Sequence, residues 1–188
     1  SLSVNEDNIF LAAPDSSVID SVFYSADWHN PNLADTRGIA LERINPFGES
    51  NESENWGSSV LPEGGTPGAE NSLFATPSAP PETRGLVMEP NPFSPDGDGR
   101  DDHLFINYRL DEADYLLRVR IFDRYGRLVR TLADGRAAGL EGSLSWDGRR
   151  DNGQENRVGI YIILFEAYNS SAGSRQSFRE SVVLARQL

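Results

Sequence analysis

The chain has 188 residues, 38% of them apolar and 24% charged, with 17 basic side chains against 29 acidic ones and no cysteine. That length suits one large domain or two small ones, no apolar run approaches the roughly 18 residues a membrane helix needs, and the missing cysteine excludes disulfides, thiolate metal sites and a cysteine nucleophile. A net charge of −12 argues against nucleic acid or an anionic membrane as partner, because phosphate binding rests on dense positive charge.

All 17 basic residues are arginine, a bias that fits a saline or hot habitat or a GC-rich genome. Residues 1–83 hold only Arg37 and Arg43 against 13 acids, whereas residues 84–188 hold 15 arginines against 16 acids. All 11 prolines lie at or before Pro95. Between the halves runs Thr76-Pro77-Ser78-Ala79-Pro80-Pro81-Glu82-Thr83, an extended polyproline-type stretch. These shifts predict two units, residues 1–72 and 87–188, joined by a Pro-rich linker over 73–86. The chain starts at Ser1 rather than Met and has no basic-then-apolar leader, so it reads as a fragment of a longer protein.

In chain order, Asn8–Leu11, Val18–Tyr24 and Ile39–Arg43 predict three strands, separated or followed by turn-rich segments at 45–55 and 62–71. Three strands make a poor free-standing core. The first unit is therefore expected to complete itself on residues 84–188 or on a partner chain. In the second unit Leu104, Ile106, Tyr108 and Leu110 alternate with polar residues, the period of a half-buried strand. Leu117, Val119 and Ile121 alternate with Arg118 and Arg120, and Asp123-Arg124-Tyr125-Gly126 supplies a turn into Arg127–Leu132. Ser143–Trp146 is a short strand. Ile160–Tyr168 is the most apolar run and predicts a central strand buried on both faces, and Phe178–Arg186 alternates again. About seven short strands without a helical pattern predict an all-β fold, the second unit being an antiparallel sandwich of immunoglobulin type.

Certain motifs carry a resemblance. Val18–Tyr24, Gly38–Arg43, Asn55-Trp56 and Gly65-Thr66-Pro67-Gly68-Ala69-Glu70-Asn71-Ser72 resemble the C-terminal half of a bacterial lamin-tail domain, without that family's opening strands. The second unit carries Pro90-Asn91-Pro92-Phe93-Ser94-Pro95 with the acidic loop to Asp102, then Val119–Arg127, Trp146-Asp147-Gly148, Val158-Gly159-Ile160-Tyr161 and Val182–Arg186. It resembles the immunoglobulin-like domain of the flagellar hook-capping family and, equally, the C-terminal sorting domains of type IX secretion cargo. The position at the C-terminus favours sorting. The resemblance implies a secreted or cell-surface bacterial protein without catalysis in this region, whose partners are the secretion machinery or cell-surface components. It places the parent protein's activity, such as a hydrolase or nuclease, upstream of Ser1. The alternatives are a carbohydrate- or protein-binding surface module, or a domain that self-associates as in hook-capping.

Ser94, Asp96 and Asp98 fall at positions one, three and five of a calcium loop, with Gly99 at six and Asp102 at nine. Phe105 stands at position twelve, where a bidentate glutamate is needed, so the pattern is incomplete. Asp96, Asp98 and Asp102 are the candidate calcium ligands; the alternative is a tight turn capped by aspartates. His29 and His103 have no neighbour at ligand spacing, and His103 is expected at an exposed edge. No nucleophile elbow, phosphate loop or dinucleotide fingerprint occurs. Trp56 and Trp146 lie within motifs and read as core anchors, whereas Trp28, in a polar loop, is the candidate surface contact for a sugar or protein.

Overall fold

Eleven strands and two single-turn 3-10 helices make up the regular structure of the computed structural model, which describes residues 2–30, 33–46, 48–75, 79–169 and 171–186. Thr76, Pro77 and Ser78 of the Pro-rich stretch lie outside that description, and the chain divides at this point into two units, Ser1–Thr76 and Pro77–Leu188.

In unit 1, β1 (Glu6–Ala12) and β2 (Val18–Ser25) form one antiparallel hairpin, and β3 (Leu41–Arg43) pairs with β4 (Trp56–Ser58). Sequence reading missed β4, because three residues around a glycine give no periodicity. Little apolar surface is buried here: Ile44 and Leu73 are the buried apolar side chains among the described residues. Polar side chains do the joining instead. Glu42 is buried and accepts from Ser72 N–H at 2.7 Å, Ser72 Oγ at 2.6 Å and Thr66 Oγ1 at 2.8 Å. Asn55 donates to the carbonyl of Asn45 and accepts from its amide, both at 2.9 Å. Asp20 on β2 accepts from Ser50 Oγ and Arg43, which ties the hairpin to the β3–β4 segment.

Unit 2 is a sandwich of two antiparallel sheets. The smaller has the order β5-β6-β9, with β5 (Gly85–Glu89), β6 (Leu104–Arg109) and β9 (Glu141–Trp146). The larger has the order β11-β10-β7-β8, with β7 (Tyr115–Asp123), β8 (Leu128–Ala138), β10 (Gly159–Asn169) and β11 (Ser174–Leu184). β5 begins inside the stretch expected as linker; its Leu86-Val87-Met88 run lacks the alternation that marks the other strands. Alternation in β7 is followed in full: Tyr115, Leu117, Val119 and Ile121 point inward, and Leu116, Arg118, Arg120 and Phe122 point outward. The inner faces share one core, in which Trp146 lies 5.2 Å from Phe93 and from Tyr161, and Tyr108 lies 5.2 Å from Phe165 between ring centroids. The Trp146 indole N–H donates to the Arg149 carbonyl at 2.9 Å, so the buried ring leaves no polar atom unpaired.

Two expectations need correction. β10 is apolar on both faces but buried throughout on one only: Tyr161, Ile163 and Phe165 are inside, whereas on the other face Ile160 is exposed, Ile162 and Leu164 are half-buried, and Glu166 alone is buried. A two-layer sandwich covers one face of each sheet, so a central strand here is not double-sided. His103 precedes β6 instead of lying in it, and is half-buried, not exposed.

Candidate functional site

The acidic loop lies in the connection from β5 to β6. Asp96, Asp98 and Asp102 each present a carboxylate oxygen within 4.8 Å of the others. Asp96 and Asp98 are exposed and Asp102 is half-buried. Backbone amides shape the loop: Gly97 N–H donates to Asp102 Oδ1 at 2.6 Å, Gly99 N–H to Asp102 Oδ2 at 2.8 Å, and Arg100 N–H to Asp98 Oδ1 at 2.8 Å. Gly97 and Gly99 adopt φ of 83° and 84°, a region that glycine enters without a Cβ penalty. Burial pushes the Asp102 carboxyl above its ordinary value, against the opposing pull of those two amides. Phe105, at position twelve of the calcium pattern, is buried in β6 and pairs with Glu89 and Ser145, so it offers no ligand. The loop is thus an aspartate-capped turn that also gathers three carboxylates.

The end of β11 is clamped from the other end of the unit. Phe93 bridges Leu184 in parallel, donating its amide to Val183 O at 3.0 Å and accepting from Ala185 N–H at 2.8 Å. Asn91 adds two bonds, accepting from Val183 N–H and donating to Ser181 O. Arg186 beyond the strand pairs with Glu155, which in turn meets Arg149. Residues 91–93 therefore hold the terminal strand in place, with Val182 and Leu184 in the core.

Two charged groups stand out on the larger sheet: Glu166, which the sequence reading did not single out, and Asp123, which it read only as a turn residue. Glu166 is buried on β10 and is held by Arg120 at 2.9 Å and Arg175 at 2.5 Å. Its burial favours the neutral form, but hydrogen bonds from Arg175, Tyr168 and Arg120 outweigh this and hold the carboxyl below its usual range. Asp123 at the end of β7 accepts from Tyr125 N–H, Arg127 N–H and Arg127 Nε, fixing the hairpin tip. There the guanidinium carbons of Arg124 and Arg127 lie 4.7 and 5.2 Å from the centroid of the exposed Tyr125 ring. A glutamate inside an apolar strand was a legible signal, since buried charges are nearly always paired; the identity of its partners depended on register.

Trp28 closes a short 3-10 turn in unit 1, half-buried with its ring 6.1 Å from that of Trp56. Neighbouring His29 meets Ser58 Oγ through Nδ1 at 2.8 Å, and burial pulls its pKa down. Pro31 of that loop lies outside the described residues. Trp56 donates its indole N–H to Ser50 O at 2.9 Å.

No curated protein matches the chain. Among solved structures, it is similar to PorZ, a surface component of the type IX secretion system of Porphyromonas gingivalis, at 22% identity over 54% of this chain and 12% of that one, with a TM-score of 0.34. It is similar to latent PorU of the same organism at 18% identity over 61% of this chain and 10% of that one, TM-score 0.44. CopC from Methylosinus trichosporium OB3b matches at 17% identity over 56% of this chain and 97% of its own, TM-score 0.36. The chain thus spans about a tenth of the length of PorZ and PorU. Residues 87–183, more than half of the sequence, match the family model of the CHU_C type IX secretion signal domain, and the chain belongs to that family, whose members are exported to the bacterial cell surface.

Proposed function

We propose that residues 87–188 direct export through the type IX machinery and then surface attachment, by recognition of a folded sandwich and its terminal strand, without chemistry of their own. Residues 1–72 serve as a lamin-tail-like accessory module in the same chain. The observation that carries this reading is the family match over 87–183, which runs through β11 almost to its end. The clamp of residues 91–93 on β11 supports it, because a receptor reading the terminal strand needs that strand in a fixed position.

The test is a reporter fused ahead of the whole chain, expressed in a bacterium with a working type IX system and in an isogenic strain without it. Reporter at the surface in the first strain only is the expected result. Reporter retained in both overturns the reading and leaves a binding or assembly module.

Calcium belongs to the same proposal as a stabiliser of the loop. Asp96, Asp98 and Asp102 would hold it, with carbonyls and water completing the shell as hard cations allow. Calcium binding to the folded state raises the melting temperature in proportion to the logarithm of its concentration once the site is filled. Calorimetry without heat, together with a melting point indifferent to chelator, retires the site and leaves the capped turn.

A further inference from the structure

The outward face of a sandwich sheet is ordinarily polar, because it meets water. One end of the larger sheet departs from this. Phe122 stands opposite Leu128 on one side and Ile162 on the other, and Ile160 stands opposite Val183, so an apolar band crosses all four strands. Ile160 is 55% exposed, Leu128 50% and Val183 40%, while Phe122, with the Arg120 guanidinium carbon 5.7 Å from its ring centroid, and Ile162 are half-buried. Directly opposed side chains in such a sheet lie about 5 Å apart, so these residues form one patch, not scattered positions.

The charge around the patch is also uneven. Farther along the same face Arg118 is paired with Asp134, and Arg120 and Arg175 with Glu166. Arg179, opposite Leu164, and Arg124, one residue beyond β7, have no carboxylate within ion-pair distance among the described residues. Arg124 stacks on Tyr125, which is 66% exposed. Arginine and tyrosine beside a desolvatable apolar centre are the composition of an interface hot spot.

We propose that this end of the larger sheet, centred on Ile160, Val183 and Leu128 and flanked by Arg124 and Arg179, docks a protein whose contact face is apolar and rimmed by carboxylates. The proposal rests on the export reading and names the surface that recognition uses. A second copy fits poorly: two-fold self-pairing sets unpaired arginines against a face whose carboxylates, Glu166 and Asp134, are already engaged. An anionic membrane fits poorly because the chain carries a net charge of −12.

The experiment uses the full chain behind the reporter. The double variant Ile160→Asp/Val183→Asp changes two solvent-facing positions and is expected to lower surface reporter at least tenfold, with the melting temperature close to that of the parent. Arg124→Glu/Arg179→Glu is expected to lower it several-fold. If the aspartates unfold the sandwich, Ile160→Thr/Val183→Thr keeps β-branching and replaces them. Folded variants exported like the parent overturn the proposal. So does a purified chain that dimerises through this face in sedimentation, with dimer lost in Ile160→Asp/Val183→Asp, or one that floats with phosphatidylglycerol vesicles. Failure of the parent chain itself to reach the surface overturns the export reading, and with it this use of the face.

Discussion

The two units solve the same problem with different materials. Unit 2 buries aromatic and aliphatic side chains from both sheets around Trp146, Phe165 and Ile163. Unit 1 buries Ile44 and Leu73, and alongside them Glu42, Asn45, Ser50, Asn55, Ser58 and Ser59. Its β1–β2 hairpin leaves Phe10, Leu11, Val18 and Ile19 exposed. Apolar burial is non-directional and tolerates small shifts, whereas a buried polar network is stable only while every member keeps its partner. The first unit should therefore fail abruptly when one hydrogen-bonding atom is removed, and the second when volume is removed.

Trp146→Ala should give the largest effect, about 3–5 kcal/mol of lost stability, because it empties the contact between Phe93 and Tyr161 and orphans the Arg149 carbonyl. A thermal melt followed by circular dichroism should show a fall on the order of 10 °C or more. Glu42→Ala tests the other unit and should cost about 2–3 kcal/mol, since three half-buried donors lose a buried acceptor. Native-state proteolysis within residues 40–75 reads it, and Glu42→Gln, which keeps one acceptor oxygen, should be milder.

Acid should weaken both units together. Burial raises the carboxyls of Glu42 and Glu166, and hydrogen bonds more than compensate in each case: from Ser72, Thr66 and Ser59 for the first, from Arg175, Tyr168 and Arg120 for the second. Both folded values are depressed, so each group contributes stability that is present above its unfolded pKa, near 4.5, and lost as pH falls through the folded value. Denaturant midpoints flat from pH 7 to 5 and falling below pH 4.5 are expected.

The smallest effects separate two glycines of unit 2. Gly148, at φ of 75°, would place a Cβ 2.6 Å from Pro95 Cγ, whereas Gly126, at 77°, has open space around it. Gly148→Ala should cost roughly 2 kcal/mol and Gly126→Ala about 1 kcal/mol, the conformational cost alone. Equal costs in a urea titration would mean that Pro95 yields.

Much of unit 2 was legible because its strands alternate. The runs at 104–110 and 117–121 and the turn at Asp123–Gly126 needed only local rules. β8 extends to Ala138, beyond the expected Leu132, because its pairing with β7 slips three times and each slip breaks the period. The acidic loop was legible as a cluster, since its three carboxylates lie within seven residues. The Glu166 cluster was not, because Arg120 and Arg175 come from two other strands.

Composition, alternation and turn residues by themselves determined that this is an all-β chain, that a Pro-rich stretch around residue 80 separates two parts, and that the second part is an antiparallel sandwich; its likeness to sorting domains rested on family motifs instead. Those features act over a few residues, where side-chain period and backbone preference suffice. Only the tertiary structure decided which face of β10 met water, which arginines met Glu166, and that residues 91–93 grip β11. Register and layer stacking join residues as far apart as Asn91 and Val183, and no local rule spans that distance.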